Sequence, residues 1–297
     1  MKLRTQKSVP ENRLAIGCGV TLALLFSAAA TPVLAADSPS RESIASRPGV
    51  ELSYADLVDL AGPATVVVKA QVRKIAQLET ERAPGLKPGW ARLYIEAKTE
   101  AVLGGRTAMG EALRYLVDVP LDAKAKLPKL AKRSVILFAR PVADRPGELQ
   151  LVAPTAQLLW DPALEPRVRA ILAELYSPDA PQAISGVREA IHVAGALAGE
   201  GESQFFLATA GGGPAAITVS RPAEGGPRWT VSFSELVETA APPPARDSLA
   251  WYRLACFLPR QLPAGVNLSA TPEDRQLASN DYRFVIEQLG PCPRLRR

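Results

Sequence analysis

The chain has 297 residues, is 47% hydrophobic and 22% charged, and carries one histidine, three cysteines and a net charge of +5. A single histidine excludes histidine-rich zinc sets and the His-Glu-x-x-His helix, and leaves His192 as the sole base for a Ser-His-Asp or Cys-His triad. Residues 1–35 hold four of the 35 basic and one of the 30 acidic residues; the remaining 31 against 29 do not argue for a nucleic-acid partner.

Lys2, Arg4, Lys7 and Arg13 precede an apolar run from Leu14 to Ala30, which Pro32 breaks before the small exit sequence Val33-Leu34-Ala35. This is the layout of a secretory signal peptide, with cleavage expected after Ala35 and a periplasmic or extracellular destination. Left uncleaved, the same run would approach the roughly twenty residues that a membrane span requires. That is the only membrane contact the sequence offers. Cys18 does not fit a lipobox, because Ala15 stands three residues before it and apolar residues continue after it. Residues 36–50 read as a flexible N-terminal segment.

Periodicity and turn residues then divide the chain. An amphipathic helix is expected from Ser53 to Leu60, ended by Gly62-Pro63, and a strand from Thr65 to Ile75. Further strands are expected from Arg92 to Val102, Arg114 to Val119, Val135 to Arg140, Glu148 to Val152 and Gln157 to Trp160, followed by a helix from Glu165 to Tyr176. Ser177 to Pro181 reads as a linker. Beyond it come strands over Ile184–Val193, Ser203–Thr209, Ala215–Arg221 and Arg228–Phe233, joined by short turns. Pro242-Pro243-Pro244 then leads to helices starting near Asp247 and at Asn280. The expected fold is α+β: a small β-barrel or curled sheet with a terminal helix over 51–176, OB-like by the resemblance given below, then an antiparallel meander capped by two helices over 184–297.

In the first of these units, Ala55-Asp56 lies on the leading helix and the Thr65–Ile75 strand follows. Tyr94-Ile95-Glu96 runs into Val102-Leu103-Gly104, and Val135-Ile136-Leu137-Phe138 precedes Leu149 and Leu151. This rhythm over residues 53–160 resembles the netrin-like and tissue-inhibitor-of-metalloproteinase-like OB barrels of secreted proteins. The resemblance implies a binding module of an exported bacterial protein. It does not extend to metalloprotease inhibition, because those inhibitors present an N-terminal cysteine to the metal and residues 36–176 contain none.

Once residues 1–35 are removed, Cys256 and Cys292 are the remaining cysteines, and in an oxidising compartment an isolated pair is expected to be a disulfide. It would join the ends of the last two helices, so that its loss should loosen those helices first. His192 sits in an alternating stretch that puts Val187, Ile191 and Val193 on one face and Arg188, Ala190 and His192 on the other, which predicts an exposed or edge-strand histidine. No Gly-x-Ser-x-Gly elbow supplies it with a nucleophile. The basic stretch Lys124 to Arg133 lacks interleaved aromatics and reads as a solvated connection. The glycines at 195–201 and 211–213 read as turns. Trp251, Tyr252, Phe257 and Tyr282 gather aromatic side chains near the C-terminus, either as the core of the helical cap or as an interaction surface.

No catalytic, cofactor-binding or metal-binding residue is assigned, and no cofactor is expected. The function expected is that of a non-catalytic binding protein of the bacterial envelope, with an envelope protein or polymer as partner. The alternative is a carboxylate-dependent hydrolase acting on an envelope polymer, which would need two converging carboxyl groups in a groove, at least one with a shifted pKa.

Overall fold

The computed structural model describes residues 52–105, 107–234 and 240–296; the expected signal peptide 1–35, its expected cleavage site and the segment 36–50 lie outside the described residues. Ser53 starts α1 (Tyr54–Ala61). Its hydroxyl accepts from the Asp56 backbone N–H while the Asp56 carboxylate accepts from the Ser53 N–H, a complete capping box. Beyond Gly62 the chain enters β1 (Val66–Gln77), β2 (Trp90–Gly105) and β3 (Ala112–Pro120), then β4 (Ser134–Pro141) and β5 (Glu148–Leu151). Neighbours run in the order β1-β2-β3-β5-β4, and β4 pairs back onto β1 to close a five-stranded, OB-like barrel. The β3–β5 pairing is parallel and the others are antiparallel.

Alternation built these strands. From Trp90 to Ala97, β2 places Ala91, Leu93, Ile95 and Ala97 inside and Arg92, Tyr94 and Glu96 outside. Three register shifts between β1 and β2 curl the hairpin enough for so small a barrel to close. β6 (Gln157–Leu159) adds to β4, and α2 (Leu164–Leu175) packs against α1 and β2.

The second sheet is a meander of β7 (Ile184–Ala194), β8 (Gly201–Thr209), β9 (Ala216–Arg221) and β10 (Arg228–Ser232). α3 (Leu249–Ala255) follows, and α4 (Pro272–Leu289) packs on β7 and β8. α4 begins eight residues before the expected Asn280. Its first two turns are largely solvated and carry little apolar pattern, but Thr271 caps it, Pro272 occupies the first turn and Glu273 and Asp274 complement the dipole. Both outer strands of the sheet are partly covered. Val266 and Leu268 bond to Ala190 of β7, and Ala241 exchanges two backbone hydrogen bonds with Val231 of β10.

The buried residues of both halves form one cluster, and α3 is the wedge between them. Tyr252 donates to Asp59 at 2.5 Å, Leu249 N–H to Glu174 at 2.7 Å and Trp251 Nε1 to the Leu289 carbonyl at 2.8 Å. Cys256, the C-cap of α3, is bonded to Cys292 just past α4, with Cα atoms 5.2 Å apart. The chain beyond the bridge then returns to the barrel. Arg294 Nε donates to Asp59 at 2.6 Å, and the backbone N–H groups of Leu295 and Arg296 donate to Asp56 at 3.0 and 3.2 Å.

The bridge therefore serves more than the two C-terminal helices. Removing it as Cys292→Ser should cost about 2–4 kcal/mol, read as an earlier urea midpoint, and should speed hydrogen exchange in α1 as well as in α3 and α4. In the chain cleaved after Ala35, thiol labelling before reduction should find no free cysteine. Faster exchange confined to α3 and α4 would show that the tail holds without the bridge.

Burial alone would raise the Asp56 carboxyl's pKa, but donors from Ser53, Leu295 and Arg296 outweigh it and hold the group below its ordinary value. A depressed folded pKa supplies stability that is present above about pH 4 and is lost as pH falls through that lower value. Asp56→Ala should thus cost about 2–4 kcal/mol at neutral pH by stranding buried donors. Urea titrations should find the gap from the parent narrowing in acid; a gap independent of pH would mean the charge contributes nothing.

Candidate functional site

His192 is the first candidate, and the structure corrects its expected position. It is buried, with Ala190, while Ile191 and Val193 lie on the more exposed face. Register shifts between Ile184 and Gly186 and between Val187 and Glu189 reset the two-residue phase. Val187 and Ala190 consequently both face inward, and the histidine follows Ala190. α4 covers that face and brings Asp281 to it.

The geometry assigns the protons. Ser203 Oγ donates its one hydrogen to Asp281 Oδ2 at 2.7 Å, so it accepts from His192 Nδ1 at 2.8 Å. His192 therefore presents an N–H at Nδ1, and Nε2 is buried without a partner among the described residues. Arg221 Nε donates to Asp281 Oδ1 at 2.6 Å and balances the buried carboxylate. The order is His–Ser–Asp with serine in the middle, and Ser203 is 0% exposed. A substrate cannot reach that hydroxyl, and the aspartate does not orient the imidazole as a catalytic triad requires. The cluster holds α4 on the sheet.

The ring also fixes its neighbour. A Cβ on Gly201 would fall 2.8 Å from both Nε2 and Cε1 of His192. Gly201→Ala should cost about 1–3 kcal/mol through that overlap. The cost should fall in a His192→Ala background without vanishing, because the Val193 carbonyl oxygen lies 3.0 Å from the same Cβ position, and a double-mutant cycle of chemical denaturation would measure the coupling. Additive effects would mean that the ring has room to move.

Trp251, Tyr252 and Tyr282 are interior residues, 2%, 4% and 1% exposed, and only Phe257 of that aromatic group reaches solvent. They form no common surface. Tyr252 meets Asp59, Tyr282 donates to the Pro259 carbonyl and packs on Phe205, and Trp251 stacks edge-on with Tyr54. Their role is to seat the helical cap.

A surface that sequence reading missed lies on the barrel. On the outer face of β2 and β3, register pairs Arg92 with Asp118, Tyr94 with Leu116, Glu96 with Arg114 and Lys98 with Ala112. The seven residues from Arg92 to Lys98 extend about 20 Å. Over this face lies a groove of about 1030 Å³, bounded by the β1–β2 connection at Glu79 and Arg82 and by the β4–β5 connection at Val142 and Arg145. A further depression of about 520 Å³ shares Tyr94 and Arg114 and reaches Arg73 and Lys98.

Arg92 grips Asp118 through two hydrogen bonds of 2.7 and 2.9 Å, and Arg145 pairs with Glu148 at 3.3 Å. Arg82 and Arg114 have no ion pair among the described residues, which leaves two guanidinium groups available in the groove. Of its acids, Asp118 and Glu148 are each held by an arginine and Glu79 has no ion pair among the described residues, so four arginines face three carboxylates in the groove. The carboxylates with displaced pKa values are Asp56, Glu111 hydrogen-bonded by Lys98, and Glu165 hydrogen-bonded by Trp160 and Arg169. All three move downward, opposite to what a general acid needs, and none lines this groove. Among the described residues no three His, Cys, Asp or Glu side chains gather to hold a metal, and no helix is long and apolar enough to cross a membrane.

The outward alternation of β2 and β3 was the available signal for this face. It shows which residues point out but not which of them stand opposite. No protein-family model matches the chain, and no curated protein matches it in sequence.

Proposed function

We propose that this is an exported, non-catalytic binding protein of the bacterial cell envelope, periplasmic or extracellular after cleavage near Ala35. Its barrel groove takes a segment of an extended anionic envelope glycan. The observation that carries this reading is the excess of guanidinium over carboxylate in the groove around Tyr94, where Arg82 and Arg114, without an ion pair among the described residues, outnumber the one unpaired acid, Glu79. OB barrels bind oligomers on the face of their second and third strands, between the connections β1–β2 and β4–β5, and this groove occupies that place. Single-stranded nucleic acid would be gripped by several stacking aromatics, whereas Tyr94 is joined here mainly by aliphatic and charged side chains. A glycan chain with regularly spaced carboxylates matches the charge and the length of the face. The resemblance of residues 53–160 to netrin-like modules agrees with a binding role.

A linear polyuronate is the direct probe, with neutral dextran as control, titrated calorimetrically at low and high salt. The polyuronate should bind, dextran should not, and salt should weaken the complex. Arg114→Glu should reduce affinity about tenfold or more, the equivalent of one lost charge-assisted hydrogen bond of at least ~1.4 kcal/mol. Arg228→Glu, on the second sheet, should leave it unchanged. Equal binding by both variants, or no binding by the parent, would remove this reading.

A further inference from the structure

We infer that the chain after Cys292 is a clamp on one wall of the barrel groove, and that Arg296 is a positioning residue for that wall. The inference deepens the binding reading above and rests on it for its functional meaning.

The wall is the turn between β5 and β6. Val152, Ala153 and Pro154 line the groove, and Thr155 follows them. Backbone hydrogen bonds hang this turn from two strands. Asp118 N–H donates to the Pro154 carbonyl at 2.8 Å, Phe138 N–H to the Ala156 carbonyl at 3.1 Å, and Val152 N–H to the Phe138 carbonyl at 3.0 Å. At the turn itself, the Arg296 guanidinium donates to both the carbonyl and the hydroxyl of Thr155. One side chain thereby takes two acceptors of a single turn residue.

Arg296 can do this because its own backbone is fixed at two points. Its N–H and that of Leu295 are held by Asp56, Arg294 is paired with Asp59, and the disulfide to Cys256 roots the segment two residues earlier than Arg294. A continuous path runs from the bridge through Arg296 and Thr155 to the Pro154 carbonyl. From there it passes to Asp118, which holds Arg92 in the groove. Arg296 does not line the groove, so its influence must pass through the turn.

Hydrogen exchange on the full mature chain tests this without any ligand. Arg296→Ala should speed exchange at the Asp118 and Phe138 amides by about tenfold through local opening of the turn, with β8 and β9 amides unchanged. Arg296→Lys, which retains one charged donor, should restore part of the protection. Unchanged protection at Asp118 would overturn the clamp, and so would faster exchange that is uniform through β8 and β9, since Arg296 would then only add global stability. In the binding arm, Arg296→Ala should weaken the linear polyuronate several-fold while Arg296→Lys recovers part of the affinity. A parent that binds no polyuronate would end the ligand reading, and the exchange result would still decide the clamp.

Discussion

The Asp56 carboxylate is the point on which both ends of the described chain converge. It completes the cap of the first helix through Ser53 and at the same time accepts the backbone N–H groups of Leu295 and Arg296. A neutral side chain could not replace it, because four donors point at two oxygens in a buried site. The next turn of α1 repeats the arrangement in weaker form, with Asp59 shared between Tyr252 and Arg294. The barrel, the wedge helix α3 and the C-terminal segment are thus joined through one short helix.

The second sheet solves a different problem by related means. Its cover, α4, is largely polar, and the contact is specified by Asp281 against Arg221 and Ser203 as well as by Tyr282 and Val285. Buried ion pairs give little net stability against an apolar alternative, but an aspartate that must meet both an arginine and a serine accepts few registers. His192 completes the set by filling the space over Gly201. The same residue types that would suggest catalysis on an exposed face here select one docking of a helix.

Strand positions were legible in the sequence to within a few residues, because β2, β3 and β8 alternate cleanly and their turns carry Gly and Pro. The cysteine pair was equally readable, since two cysteines in an otherwise cysteine-free stretch leave one partner each. Other features depended on information that periodicity lacks. Two bulges in β7 reversed the face of His192, and the solvated start of α4 hid a helix whose caps were visible in Thr271 and Pro272. Trp251 and Tyr252 look like recognition residues by type, yet α3 is wedged between two halves and has little free surface. The groove needed the register of β2 on β3, which places Arg92 opposite Asp118 and leaves Arg114 beside Glu96 without an ion pair between them.

The return of the tail to α1 also sets an order in time. Asp56 and Arg296 are 240 positions apart, so a chain delivered from its N-terminus presents the first helix long before the donors that complete it. Barrel strands need only partners within residues 66–159, and they can close while the rest is still arriving. This contact closes the longest loop among the described hydrogen bonds and carries the largest search entropy of them. α1 therefore keeps an incomplete set of partners until the segment 294–296 is present.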